Sequence, residues 1–287
     1  MAKYIDLTKE DLEITSKGTH HIYTFEQDGK KYYFKACNRE DLLSSLLASE
    51  MARSIGIKRL DFKVAYYGEE IGLVSRSYNP SNQEEISIRQ ILENYHENVI
   101  STHESDFDDE HYLDQTHNLE TIWWALDYYY KNRKDKDEIV SSLMEEIVKY
   151  FIFQILVGDP DLHYDNIIIL DNDKPTLAPY FDFDLCFTIE IHEAGEEYCL
   201  EPFPISKDKN TITTIRSFIN ASDKSYIILV EEMIHKIPPL ELLWDKIEKK
   251  HPVIVSHRLK NKTIDAVNES IDFLTKVIQE NQNNLSK

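Results

Sequence analysis

Glycine is scarce in this chain: 7 of 287 residues, where about 7% is ordinary. A flexible, linker-rich architecture is excluded, and each glycine marks a place where the backbone has to turn. Cysteine is limited to Cys37, Cys186 and Cys199. An odd number with no metal-knuckle spacing predicts neither a disulfide framework nor a zinc module, and points to a reducing cytoplasm. No apolar run reaches the ~18 residues of a membrane span. The opening MAKYIDLTKEDLEI lacks the apolar core and cleavage site of a signal peptide. Positive charge is also short, with Lys+Arg 32 against Asp+Glu 52 and a net charge of −20. Binding to nucleic acid or to anionic lipid runs on Lys and Arg, so neither partner is expected. There is no internal repeat and no low-complexity tract.

What remains is a globular composition, 41% hydrophobic and 29% charged, long enough for one large core or two lobes. The first part reads as strands. ITSKGTHHIYTFEQDGKKYYFKAC is rich in Thr, Tyr, Ile and Phe, and Asp28-Gly29 is a hairpin turn. Asn38 is placed to cap a helix over about 39–55, with Leu42, Leu43, Leu46, Leu47, Met51 and Ile55 on its apolar side and Gly56 at its end. Strands over about 61–67 and 71–77 follow, joined through Gly68-Glu69-Glu70. From about 85 the pattern is helical: 85–98, 117–132 and 138–157, then, after two short strands around Asp171-Asn172-Asp173, 211–220, 222–236, 239–250 and 260–282. A small sheet lobe followed by a larger helical one is an α+β, two-lobed plan.

The densest cluster of reactive side chains is GDPDLHYDN (158–166), followed by Phe181-Asp182-Phe183-Asp184. It begins where the strongest helix ends, and Gly and Pro force an irregular loop there. Asp161 and Asn166 are five residues apart, the separation of proton acceptor and metal ligand in the loop H-R-D-x-x-x-x-N. Asp182 follows a second strand, so a hairpin could carry it back beside Asn166. An Asp to accept a hydroxyl proton, with an Asn and an Asp as hard oxygen ligands, is what Mg-dependent phosphoryl transfer requires. Lys35 lies in the apolar strand YYFKA. Glu50 sits on or beside the buried face of the next helix and wants a partner. The expected arrangement pairs Glu50 with Lys35, which in turn reaches nucleotide phosphates. Thr15-Ser16-Lys17-Gly18-Thr19 could lay backbone N–H groups over those phosphates.

GDPDLHYDNIII followed by LAPYFDFDL resembles the D-x-H-x-x-N loop and the P-x-Y-D segment of the HipA-like kinases, and the likeness extends more loosely over about 10–190. The resemblance implies a two-lobed protein-kinase-like fold, with a β-rich N-lobe over 1–80 and a helical C-lobe over 81–287. It implies ATP and Mg2+ as cofactors, Asp161 as the catalytic Asp, His163 holding the loop, and Asn166 and Asp182 as metal ligands, with Asp184 the alternative to Asp182. Lys35 would contact phosphate. Val74, Ser75, Arg76 and Ser77, in a segment that resembles the family's hinge, would meet adenine through their backbone. Thr15 or Ser16 would be a site of autophosphorylation. The chain starts close to its phosphate loop, as in short, single-chain members. The expected activity is Ser/Thr protein phosphorylation, with a translation factor or aminoacyl-tRNA synthetase as the kind of substrate and an antitoxin as a possible partner. The alternatives are a small-molecule or phosphoinositide-type phosphotransferase, or a catalytically silent nucleotide-binding regulator.

Three weaker features stand beside this reading. His103, His111 and His117 flank an acidic stretch, at spacings that fit no usual zinc pattern. Trp123-Trp124 and Tyr128-Tyr129-Tyr130 read as core with an exposed edge. The acidic segment 190–203 follows Asp182 where kinases carry an activation segment.

Overall fold

The computed structural model describes residues 3–17, 20–81, 83–100, 119–159, 164–184, 186–191, 197–199 and 224–285. Six strands form one sheet: β1 (Ile5–Asp6), β2 (Glu13–Lys17), β3 (His21–Gln27), β4 (Lys30–Ala36), β5 (Lys63–Tyr67) and β6 (Glu70–Arg76). Their order is β1-β5-β6-β4-β3-β2, antiparallel except for the parallel pair β1/β5. Two tight turns set the register. Asp28 and Gly29 both take positive φ (52° and 68°), the geometry that matches strand twist across a two-residue hairpin. Gly68 does the same for β5/β6 at φ 62°. Thr15 and Ser16 lie within β2 rather than in a loop. The pairing with β3 slips between Ile14 and Ser16, so Thr15 is the extra residue of a bulge.

Side chains alternate across the sheet. Phe34, Ala65 and Val74 join Leu7 and Phe25 in a small cluster on one face. Val64 and Leu73 join the main core on the other, built on helix α1 (Arg39–Ser54). Asn38 caps α1 by accepting from the Asp41 N–H at 2.8 Å.

Beyond the sheet, Ser87 opens α2 (Ile88–Tyr95) with a reciprocal bond to Gln90. The expected helix over 85–98 therefore starts late. Glu84–Ser87 form β7, which pairs with β8 (Ile168–Asp171) and through it with β9 (Thr176–Leu177). Helices α3 (Leu119–Tyr129) and α4 (Lys136–Val157) follow. A second small sheet pairs β10 (Ile189–Ile191) with β11 (Glu197–Cys199). The chain closes with α5 (Lys224–His235), α6 (Leu240–Lys250) and α7 (His257–Leu285). The main core runs without a break from α1 through α4 to α6 and α7. The N-terminal lobe is thus fastened to the helical one chiefly through a single helix. Trp123 and Trp124 are exposed while Tyr130 is buried, so that aromatic cluster is core with one open edge. No described helix is long and apolar enough to cross a membrane. The helix expected over 211–220 and the histidines 103, 111 and 117 lie outside the described residues.

Candidate active site

Lys35 is the centre of the site. Its strand runs against β6, and the two backbones approach so closely at Gly72 that a Cβ there would meet the Lys35 carbonyl oxygen at 2.0 Å. Only glycine fits, a requirement the sequence reading passed over. The Lys35 ammonium donates to Asp182 Oδ1 at 3.1 Å and pairs with Asp184. Burial opposes its charge, but the two carboxylates outweigh that and hold its pKa above the ordinary lysine value.

Asp184 gathers more than the lysine. Its Oδ1 accepts from the Ser45 hydroxyl at 3.1 Å, and its Oδ2 faces His20 Nε2 at 3.2 Å as well as Lys35. His20 also stands 3.4 Å from Asp41 on the first turn of α1. Both oxygens of Asp184 are therefore engaged, whereas Oδ2 of Asp182 carries no hydrogen bond among the described residues. Burial raises the Asp41 pKa, the Asp184 charge adds to it, and His20 and Lys35 oppose them, leaving it at about 6. Neither His20, Ser45 nor Asp41 was singled out from sequence as a site residue. No local pattern announces a cluster assembled from the residue before β3, the N-terminal half of α1 and a segment more than 130 residues away.

Glu50 is the correction. It does not steady Lys35. Its carboxylate is held by Lys246 at 2.5 Å, Lys250 at 2.6 Å and Arg53 at 3.4 Å. Its demand for a partner is met by α6, two hundred residues on, and the carboxylates of Phe181–Asp184 take its expected place beside Lys35.

The loop that precedes these acids is anchored on both sides. α4 ends on Gly158 in the left-handed conformation (φ 59°, ψ 42°), with the Asp159 N–H returning to the Gln154 carbonyl at 3.0 Å. The Asp159 carboxylate accepts from the Tyr180 hydroxyl at 2.7 Å. Tyr180 in turn pairs through its backbone with the strand-like stretch 58–60. Asn166 closes a 3-10 turn (Tyr164–Asn166) one residue short of β8, and the β8/β9 hairpin brings the chain round to Tyr180 and Asp182. Asp161, His163 and Gly18 lie outside the described residues.

At the lobe junction Val74, Ser75 and Ser77 are buried and Arg76 is exposed. The Ser77 N–H donates to the Lys31 carbonyl at 2.9 Å. Antiparallel alternation then turns the backbone groups of Arg76 away from β4, past the start of β5 at Lys63, which pairs with Val74. Tyr78 stacks on Phe181 at 5.6 Å, tying the junction to the residue before Asp182.

The architecture is similar to that of two solved proteins. The Helicobacter pylori proinflammatory kinase CtkA superposes with a TM-score of 0.66 at 14% identity, covering 97% of this chain and 99% of that one. HipA of Shewanella oneidensis, solved with HipB and operator DNA, superposes at 0.58 with 10% identity over 95% of this chain and 68% of that one. No protein-family model and no curated protein matches by sequence. The likeness establishes the fold: a sheet-based N-lobe and a helical C-lobe, as in HipA-like kinases.

Proposed function

Taking the HipA-like kinase fold as premise, we propose that this protein is an ATP- and Mg-dependent Ser/Thr protein kinase. The observation that carries the reading is Lys35 of the sheet meeting Asp182 of the other lobe, 147 residues away in sequence, at 3.1 Å. A cation on the sheet and a carboxylate from the other lobe, brought together, are the two ends of a nucleotide-phosphate site.

The donors present suit magnesium. Asp182 keeps one carboxylate oxygen free of hydrogen bonds among the described residues, and Asn166 offers an amide oxygen, both hard ligands. Asp184, with both oxygens engaged, is the poorer candidate and serves to aim Lys35. Mg-ATP supplies the transferable phosphoryl group and its counter-charge. Lys35 donates to a phosphate oxygen. The backbone of Arg76, directed out of the sheet edge, would meet the adenine. Asp161 takes the proton from the acceptor hydroxyl as that oxygen bonds to the γ-phosphorus and the bond to ADP breaks. Thr15, exposed at the bulge of β2, is the first candidate for autophosphorylation and Ser16 the second. An added phosphate there would bring about −1.5 to −2 charges to the roof of the site. The HipB complex of the Shewanella protein supports an antitoxin-type protein as partner.

The test is the intact mass of the purified protein after Mg-ATP, beside Asp161→Asn. A phosphate-sized gain in the wild type alone supports the proposal, and peptide mapping then locates the phosphate. ATP binding without transfer to the protein itself or to any Ser/Thr peptide or protein would favour the silent regulator. No ATP binding would overturn the reading.

A further inference from the structure

A small group of cations stands apart from Lys35. Lys3, Arg53, Lys63 and Lys250 line a cavity of about 350 Å3 bounded by the C-terminal half of α1, the β1/β5 edge of the sheet and the end of α6. Two carboxylates line it too, and both are already taken. Glu50 is held by Lys246, Lys250 and Arg53, and Asp61 by Arg53 at 2.5 Å and Arg59 at 2.7 Å. Lys3 and Lys63 have no ion-pair partner among the described residues and are exposed. His251, also in the wall, is held below the ordinary histidine pKa by burial and by Lys250, with Glu50 opposing, and adds no charge at neutral pH. Leu46, Phe62 and Val64 give the same cavity an apolar, partly aromatic part of its wall.

Ammonium groups over an apolar, partly aromatic wall suit a ligand that joins a dianion to a flat or apolar body. The volume is that of a small-molecule site. We propose that this cavity is a second binding site, separate from the Lys35 cleft, for a small phosphate-bearing molecule with an aromatic portion.

The site is built to report to the cleft. Phe62 stands edge-on to Phe183, with ring centres 6.0 Å apart, and Phe183 lies between Asp182 and Asp184. Leu46 is the neighbour of Ser45, whose hydroxyl holds Asp184. A ligand that presses on Phe62 or on α1 displaces the segment that aims Lys35. The existence of the site does not depend on the kinase reading; its coupling to ATP does.

Phenyl phosphate, titrated calorimetrically into the full chain without nucleotide, is the probe. Saturable one-to-one binding is expected. Affinity should fall at least tenfold in the double variant Lys3→Glu/Lys63→Glu, whose thermal midpoint should match the wild type because both side chains are exposed. It should stay within twofold in Lys35→Met. No saturation, unchanged affinity in the double variant, or loss of binding in Lys35→Met would each overturn the site. In a second titration, saturating phenyl phosphate should shift the Kd for ATP at least threefold, and an unchanged Kd would overturn the coupling alone. A protein that binds phenyl phosphate as expected but never binds ATP would count against the kinase reading and leave the cavity site standing.

Discussion

Asp41 and Glu50 are two buried acids on one helix, 7% and 5% exposed, and they titrate in opposite directions. Burial raises the pKa of both. At Asp41 the neighbouring Asp184 adds to that effect, and the group rises to about 6. At Glu50 hydrogen bonds from Lys246 and Lys250, with the charge of Arg53, reverse it, and the group falls below the ordinary glutamate value. The N-terminal end of α1 stands in a field of carboxylates that converge on one lysine. Its C-terminal end stands among cations that converge on one glutamate. Desolvation sets the cost in both places, and the sign of the neighbours decides who bears it. The glutamate expected to serve catalysis instead fastens the helix to the other lobe. The lysine is served by acids from the segment after β9.

That contrast predicts separable effects. Lys35→Met should lower phosphoryl transfer by 10² or more, because a charge-stabilising donor is lost; single-turnover rates would show it, and a drop under threefold would remove Lys35 from the chemistry. Glu50→Gln should leave the catalytic rate within about threefold. It should cost about 1–2 kcal/mol of stability, since the lysines are partly exposed and the pair is screened on that side. A rate loss as large as that of Lys35→Met would restore Glu50 as the lysine's partner.

The two acids should also give opposite pH signatures. Glu50, depressed in the folded state, contributes stability above the ordinary glutamate pKa that is lost as pH falls through its lowered value. Asp41, raised from 3.8 to about 6, penalises the folded state above pH 6, and the penalty disappears below pH 4. Asp41→Asn should therefore stabilise the protein at pH 8 by about 1–3 kcal/mol and gain nothing at pH 4. Denaturant titrations at the two pH values would decide it, and an equal effect at both would refute it. The smallest effect belongs to Tyr180→Phe. Loss of its bond to Asp159 should cost about 1 kcal/mol and slow transfer severalfold by loosening the loop that carries Asp161. An unchanged rate would mean the loop is positioned without it.

Much of this was legible residue by residue. The Asp28-Gly29 and Gly68 turns, the Asn38 cap and the leucine stripe of α1 are local decisions, each made within a few residues. Lys35, Asn166 and Asp182 were picked out by chemistry and spacing, and of these the structure brings Lys35 and Asp182 into contact. The start of α2 was misplaced because Glu84–Ser87 is a strand only when β8 is beside it. Thr15 and Ser16 looked like a loop because a bulge leaves the same sequence trace as a turn. His20, Ser45 and Gly72 carry no periodic or motif signal; each matters only through what lies across from it.

What the sequence determined by itself was therefore the main helices, the turns that space them, the supply of acids and amide in the two motif segments, and Lys35. The tertiary structure alone decided who pairs with whom. Lys35 finds Asp182 and Asp184 across the lobes, and Glu50 finds Lys246 and Lys250 across two hundred residues. The reason is that backbone turns and caps are set by contacts within a few residues. Ion pairing is set by distance in space and by the dielectric around it, and neither can be read along the chain.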